Sequence, residues 1–182
     1  IMENIHNISP NPLTYEIVET IVNNGYKLAL SEESKQLIEE CRNYLDNKMK
    51  TQTEPIYGIT TGFGSLCNKS ISKEDLSDLQ KNLVMSHACG TGNEVNSEIV
   101  KLMLLLKAHA LSLGKSGVQL ITVERIIDMY NANILPIVYE LGSLGASGDL
   151  APLAHLFLPL LGEGEVYFEG ERMESAKMLE KM

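Results

Sequence analysis

The amino-acid sequence predicts a mainly α-helical fold with a few short β-strands. Apolar residues recur every three or four positions through most of the chain, which is the spacing of an amphipathic helix. Segments typical of strands are rare, and Val166-Tyr167-Phe168 followed by Glu169-Gly170 is typical of a short hairpin. Short strands are expected there and near Tyr57. The length of 182 residues favours one domain with a sizeable core.

Five helices are predicted from their caps and apolar stripes, and they begin near Asn11-Pro12, Ser31, Ser72, Asn96 or Ser97, and Gln119. The first should end at Gly25, the fourth at Gly114 and the fifth at Asn133. The fourth is apolar on nearly all sides, so it should be buried or meet helices of another chain. A further helical pattern begins at Glu174 and is still running at Met182, so we expect the chain to be part of a longer protein.

The composition excludes several classes of partner and site. A net charge of −9 disfavours a nucleic-acid surface or an anionic membrane, because phosphate groups are bound by clustered Lys and Arg. The longest apolar run, residues 102–106, is far below the roughly 20 residues that span a bilayer. Three cysteines without CxxC spacing and no visible signal peptide indicate reduced thiols and a cytoplasmic location. No histidine pair has i, i+4 spacing with a carboxylate partner, so no metal site is expected.

Residues 55–64, with the sequence PIYGITTGFG, form the first unusual segment. Three glycines in seven positions disfavour a helix and allow the backbone to approach a ligand closely. A tyrosine in such a loop, Tyr57, can act as a proton acceptor or donor. The alternative is a tight turn in which Tyr57 and Phe63 are packing anchors. Phosphate binding is disfavoured, because Gly62-x-Gly64 is followed neither by a helix nor by Gly-Lys-Ser/Thr.

Residues 140–156, with the sequence ELGSLGASGDLAPLAHL, place a glycine-rich stretch directly before an apolar helical run. One interpretation is a flexible loop that ends in an N-cap for a helix starting near Leu150. The other is chemical. In a tightly bent loop the nitrogen of Gly148 can attack the carbonyl carbon of Ala146, because small residues leave room for the closure. Loss of water from that ring, and of a second water from Ser147, leaves a conjugated methylene that is a strong electrophile and needs no external cofactor.

These two segments, together with LQKNLVMSHACGTG between them, resemble the ammonia-lyases that carry the 4-methylidene-imidazol-5-one (MIO) group. That family comprises the histidine, phenylalanine and tyrosine ammonia-lyases and the related aminomutases. The resemblance covers essentially the whole chain, residues 1–182, and corresponds to the N-terminal third of those enzymes. It implies the N-terminal part of the multihelical, L-aspartase-like ammonia-lyase fold, with the central helical bundle and the C-terminal regions outside this chain.

The resemblance also assigns site residues. Ala146-Ser147-Gly148 matches the triplet that cyclises into MIO, and Asp149 matches the acidic residue that follows it and assists the cyclisation. Tyr57 matches the tyrosine that takes the β-proton of the substrate, and Gly64 lies where the family's loop contacts the substrate. The implied reaction combines covalent and general-base catalysis: the amine of the substrate adds to the electrophile, and ammonia is then eliminated.

Ser86-His87 lies at the position that governs substrate choice in the family. The histidine enzymes resemble Ser-His there, whereas the tyrosine enzymes favour His-Leu and the phenylalanine enzymes Phe-Leu, so the resemblance implies L-histidine as substrate and trans-urocanate as product. A polar pair also suits an imidazole, which needs hydrogen-bond partners once it is desolvated. Without the family context, His87 would be interpreted as a structural histidine. Thr60 departs from the Asn of many histidine enzymes and is commoner in the phenylalanine and tyrosine enzymes.

The resemblance finally implies what this chain lacks. The family's remaining active-site groups lie beyond residue 182 and come partly from neighbouring subunits of a homotetramer, so the full-length parent should be active and this chain alone inactive. Without those parts, apolar faces at residues 99–113 and 150–161 should be uncovered. A tyrosine or phenylalanine lyase, or an aminomutase, is the alternative among enzymes. A non-catalytic interaction module with an uncyclised Ala146-Ser147-Gly148 is the alternative from another class.

Overall fold

The computed structural model of the protein describes residues 4–62, 75–142 and 150–181. These residues form a mainly helical fold with short strands, as predicted. Although the length favoured one domain, they group into two compact units: Ile1–Met49 with Ser97–Leu135, and Lys50–Asn96 with Pro136–Met182. In chain order the elements are β1 (Ile5–Ile8), α1 (Tyr15–Asn23), β2 (Lys27–Leu30), α2 (Glu32–Thr51), α3 (Leu76–His87), β3 (Thr91–Glu94), α4 (Ser97–Ser112), α5 (Leu120–Asn131), β4 (Leu135–Pro136), β5 (Tyr139–Leu141), α6 (Leu150–Phe157), β6 (Glu165–Phe168), β7 (Glu171–Glu174) and α7 (Ser175–Lys181).

The first unit packs α4 against α5, and α5 against β2. β1 and β2 form a parallel pair. Asn131, the last residue of α5, is hydrogen-bonded to both backbone groups of Leu28: the Leu28 N–H donates to Oδ1 and Nδ2 donates to the Leu28 carbonyl, each at 2.8 Å. The core is aliphatic, as the scarcity of aromatic residues requires, and its fully buried members include Ile8, Ile21, Ile38, Val100, Leu104, Leu105, Val123 and Ile126.

Helix starts in this unit follow their caps. α2 begins directly after Ser31, as predicted, and the Ser31 Oγ accepts the N–H of Ser34 at 3.1 Å. The predicted start of the first helix at Asn11-Pro12 is wrong, because Thr14 is the N-cap and its Oγ1 accepts the N–H of Ile17 at 3.4 Å. Both stretches carry a capping residue, and such signals compete when they lie close together in sequence.

The later helices of the first unit bear out most of the expectations. α4 runs within the predicted limits, and its Ile99 and Leu106 are 51% and 50% exposed, so this helix does present an uncovered apolar face. α5 begins after Gln119 as predicted but ends at Asn131, with Ala132 as its C-cap. The predicted end at Asn133 is wrong because this residue leaves the helix with a φ of +55°.

The second unit packs α3 against α6 and against the 3-10 turn Leu158–Leu161. β6 and β7 form the predicted antiparallel hairpin, which turns at Glu169-Gly170 with φ values of 53° and 80°. β3 pairs with β5 in an antiparallel manner, and β6 lies between β4 and β7. β3, β4 and β5 are two to four residues long, and no apolar pattern in the sequence predicted them.

α6 is more deeply covered than the sequence predicted. Ala151, Ala154 and Leu156 are buried, so an uncovered apolar face along residues 150–161 is wrong for most of its length. Only the ends of that stretch are open, with Leu150 45% and Leu161 37% exposed. No helix within the described ranges is long and apolar enough to cross a membrane.

Candidate active site

Residues 56–61 of the second unit, called the Tyr57 turn below, form a turn and not the short strand expected near Tyr57. The N–H of Thr60 donates to the carbonyl of Ile56 at 2.9 Å, and the N–H of Ile56 donates to the Thr60 Oγ1, also at 2.9 Å. The N–H of Gly58 donates to the Thr61 Oγ1 at 3.3 Å. Thr60 therefore closes the turn from both sides, which gives a structural role to the position where many histidine enzymes have Asn.

The Gln80 side chain of α3 is hydrogen-bonded to this turn. The Gln80 Nε2 donates to the carbonyl oxygens of Gly58 and Ile59, at 3.3 and 3.2 Å. Tyr57 itself is 60% exposed, so its interpretation as a packing anchor is wrong. Phe63 and Gly64 lie outside the described residues. The backbone of the turn is thus fixed by hydrogen bonds, while the Tyr57 residue is largely exposed.

Ser86 and His87 occupy the last turn of α3, where their side chains converge on one carbonyl. The Ser86 Oγ donates to the carbonyl oxygen of Leu83 at 3.0 Å, and the His87 Nδ1 lies 2.7 Å from the same oxygen and 3.2 Å from the Ser86 Oγ. A carbonyl oxygen only accepts hydrogen bonds, so the His87 Nδ1 carries a hydrogen. Ser86 is exposed and His87 is half-buried, as a contact for a polar ligand requires.

The Tyr57 turn and the Ser86-His87 pair are both connected to α3. Ser86 follows Gln80 by six residues, which is about 9 Å along a helix axis at about 1.5 Å per residue. α6, which begins one residue after Asp149, packs against the same helix. The Tyr57 turn, the Ser86-His87 pair and the described residues on either side of the glycine-rich segment therefore belong to one compact unit, although 90 positions of sequence separate Tyr57 from Ser147.

Residues 143–149 lie outside the described residues, and with them Ala146-Ser147-Gly148 and Asp149. The described residues on either side of them, Gly142 and α6, are in close contact. A Cβ added to Gly142 would lie 3.1 Å from the Cβ of Ala151 and 2.8 Å from the Cα of Gly90, and the φ of Gly142 is +149°. Both ends of the segment that holds the triplet are therefore anchored at one place, where only glycine fits at position 142.

His155 is the residue at this place that the sequence did not single out. Its ring is buried, its Nε2 accepts the N–H of Gly90 at 2.9 Å, and it packs edge-on against Tyr139 with the ring centroids 5.2 Å apart. Burial lowers the pKa of the His155 imidazole below its ordinary value. The sequence showed a histidine in an apolar helix, but its partner Gly90 is 65 positions away and gave no local signal.

The strands beside Gly90 are tied together by an ionic network. Arg172 contacts Glu94 at 2.7 Å and Glu165 at 2.6 Å, and the Tyr167 hydroxyl donates to Glu94 at 3.0 Å. The hydrogen bond to Glu94 raises the pKa of Tyr167, and the Arg172 contact lowers the pKa of the Glu165 carboxyl. All of these groups are partly open to solvent, so the network orients the strands more than it stabilises the protein.

The described part of the chain contains no cluster of three or more His, Cys, Asp or Glu side chains that could hold a metal ion. Cys41 and Cys89 are free thiols, the first half-buried and the second exposed.

Comparison with known proteins places the chain in a family. A sequence model described as aromatic amino acid lyase matches residues 13–182. The chain is 47% identical over 182 residues to the histidine ammonia-lyase of Clostridium tetani, covering 99% of this chain and 35% of that protein. It is 45% identical over 174 residues to the histidine ammonia-lyase of Caldanaerobacter subterraneus, covering 96% of this chain and 34% of that protein.

Solved structures agree with the sequence relatives. The tyrosine aminomutase of Streptomyces globisporus has a TM-score of 0.86 at 30% identity, covering 99% of this chain and 33% of that one. The histidine ammonia-lyase of Trypanosoma cruzi has a TM-score of 0.83, also at 30% identity, covering 99% of this chain and 34% of that one. The chain spans about a third of the length of these relatives. Because the family match covers nearly the whole chain, the chain belongs to the aromatic amino acid lyase family.

Proposed function

We propose that residues 1–182 are the N-terminal part of a histidine ammonia-lyase, which eliminates ammonia from L-histidine to give trans-urocanate. The observation that carries this proposal is the Ser86-His87 pair at the end of α3. It has the residue types typical of the histidine enzymes, and the relatives at 45% and 47% identity are histidine ammonia-lyases. The whole parent protein, and not this chain alone, is the proposed catalyst.

The hydrogen bonds of the pair suit an imidazole substrate. The Ser86 hydroxyl and the His87 imidazole together form a polar pair at the end of α3, and a desolvated imidazole substrate needs such hydrogen-bonding groups. The Ser86 hydroxyl is exposed at the same helix end. A phenylalanine side chain offers this polar pair no hydrogen-bond partner, and a site built to hydrogen-bond its substrate disfavours one that lacks those groups.

We propose that Ala146-Ser147-Gly148 forms the MIO group in the parent. The flanking geometry supports this, because Gly142 and Ala151 fix both ends of the segment at one point, and the triplet is built of small residues. Asp149, directly before α6, is assigned to assist the cyclisation. When formed, the group supplies an electrophile for the substrate amine, which is otherwise a poor leaving group.

Tyr57 is proposed as the base that takes the β-proton of the substrate. Its exposed phenol stands on a turn whose backbone is held by Thr60, Thr61 and Gln80, so the base is accessible and its support is fixed. Gly64 is proposed to contact the substrate. Such fixed placement of a base contributes to catalysis because the proton must be within hydrogen-bond reach.

The parent is further proposed to be a cytoplasmic homotetramer. The exposed apolar residues Ile99 and Leu106 of α4 support assembly with further helices, since isolated chains rarely leave such a stripe open to water. The free thiols of Cys41 and Cys89 support a reducing compartment. We expect this chain alone to be inactive, because the other groups of the family's site lie beyond residue 182.

The test compares the parent with L-histidine, L-tyrosine and L-phenylalanine as substrates. We expect urocanate from histidine, and we expect the double variant Ser86→His/His87→Leu to lose at least about a hundredfold in kcat/KM for histidine. Asp78→Asn, on an exposed position of α3, is the matched control and should retain activity. Equal use of histidine by the double variant and the wild type would refute the assignment of the pair.

A tyrosine-specific lyase or aminomutase remains the second candidate. The similarity to the tyrosine aminomutase of Streptomyces globisporus and the presence of Thr60 favour it. The same three-substrate assay separates these functions, because an aminomutase returns a β-amino acid. Intact mass separates both from a non-catalytic module, since cyclisation removes the mass of two water molecules and an uncyclised loop does not.

A further inference from the structure

His155 joins three segments of the second unit. Its imidazole is 8% exposed, and its Nε2 accepts the Gly90 N–H at 2.9 Å. A Cβ added to Gly90 would lie 3.0 Å from this Nε2 and 3.2 Å from the Cβ of Tyr139. The histidine ring therefore occupies the space that a side chain at position 90 would need.

The hydrogen bond defines the state of the ring. An amide N–H donates, so Nε2 is unprotonated and the hydrogen of the neutral imidazole is on Nδ1. Burial keeps the pKa below its ordinary value, and no charged side chain of the described ranges contributes to that shift. Among the described residues, the titratable side chain recorded against the ring is Tyr139 of β5. Protonation would place an N–H against the N–H of Gly90 and break the contact.

The contact reaches both halves of the candidate site. Gly90 follows His87 by three residues, and its Cα is the nearest atom to a Cβ added at Gly142. Ala151, one helical turn before His155 on α6, has its Cβ 3.1 Å from the same added Cβ. His155 thus fixes α6 to the segment that follows Ser86-His87, and Gly142 lies beside both.

We propose that His155 is a positioning residue for the proposed lyase: by accepting the Gly90 N–H it fixes the separation of Gly142 and α6, and so holds the ends of the triplet segment in place for cyclisation. It does not touch the substrate. This role rests on the proposed function, because it presupposes that Ala146-Ser147-Gly148 cyclises.

The test follows cyclisation in the full-length parent by intact mass. Parent protein is recovered unfolded from inclusion bodies, and its intact mass first shows that both waters are still present. It is then diluted into native buffer at a series of pH values, and the loss of the two waters is measured with time. The variants are His155→Leu, which removes the acceptor, and His155→Gln, whose amide oxygen can accept the same N–H but does not titrate. His109→Gln is the control, because the pKa of His109 is also lowered by burial but this histidine lies in the first unit.

We expect His155→Leu to cyclise about tenfold more slowly or worse, and His155→Gln to cyclise at close to the wild-type rate near neutral pH. The wild-type rate should fall as the pH drops below about 6.5, where the histidine of the unfolded chain takes up a proton that the folded site excludes. His155→Gln should not show this fall, and His109→Gln should keep the wild-type profile.

The outcomes separate the two proposals. A wild-type parent that never loses two waters refutes the proposed function itself. A cyclised wild type together with His155→Leu at an unchanged rate overturns the role of His155 alone. If His155→Leu does not fold, the wild type and His155→Gln decide, because identical pH profiles for these two proteins also overturn it.

Discussion

Gly142→Ala tests whether the anchoring beside the triplet segment depends on close backbone contact. The new Cβ would meet the Cα of Gly90 at 2.8 Å, which is backbone and cannot rotate away, and the Cβ of Ala151 at 3.1 Å. The backbone conformation at φ +149° costs an L-residue about 1–3 kcal/mol. Overpacking adds about 1–3 kcal/mol. The total expected loss is about 2–6 kcal/mol.

Gly170→Ala is the matched control in the same unit. Gly170 has a φ of +80° in the β6–β7 turn, and a Cβ there would have nothing within 4 Å, so this variant bears the backbone cost of about 1–2 kcal/mol and no clash. The assay is urea unfolding of the chain, followed by far-UV circular dichroism. Gly142→Ala should lose about 1–3 kcal/mol more than Gly170→Ala.

The same pair of variants connects stability with the proposed chemistry. In the parent, Gly142→Ala should reduce the fraction of protein that has lost two waters, and Gly170→Ala should leave that fraction unchanged. Equal destabilisation by both substitutions would show that position 142 has room for a side chain, and the reasoning about anchored ends would then be refuted.

Two further substitutions test other contacts. Asn131→Ala should destabilise the first unit by about 2–4 kcal/mol in urea unfolding, because it removes the partners of both backbone groups of the buried Leu28; a loss below about 1 kcal/mol would contradict this. Gln80→Leu should change stability little, since Gln80 is exposed, but should lower kcat of the parent about tenfold by releasing the Tyr57 turn; unchanged turnover would count against the placement of that turn.

Features with local causes were predictable from the sequence. The cap at Ser31, the start of α4 and the Glu169-Gly170 hairpin depend on residues within one or two turns of each other, and the structure confirms them. The start of α1 failed because Asn11-Pro12 and Thr14 both offer a cap, and local signals do not choose between them. The β1–β2 and β3–β5 pairs were not predicted, because strands of three or four residues carry little sequence pattern and their partner strands are distant in sequence.

For the candidate site, too, the identity of the residues was predictable and their arrangement was not. Tyr57, Ser86-His87 and Ala146-Ser147-Gly148 stand out in the sequence because their residue types and order are unusual, and that order pointed to the family. The exposure and the hydrogen bonds of these residues within the fold could not be predicted from the sequence. The exposure of Tyr57 and the convergence of Ser86 and His87 on one carbonyl depend on where α3 ends and what packs beside it.

The sequence by itself determined the helical character, the family and the residues of the proposed chemistry, because these follow from periodicity, caps and residue order. Only the tertiary structure decided that Gly142, Gly90 and α6 meet at one point and that His155 joins them. The physical reason is that a hydrogen bond across 65 residues, and a gap too small for one Cβ, arise from packing between segments. Neither leaves a trace in the local sequence around His155.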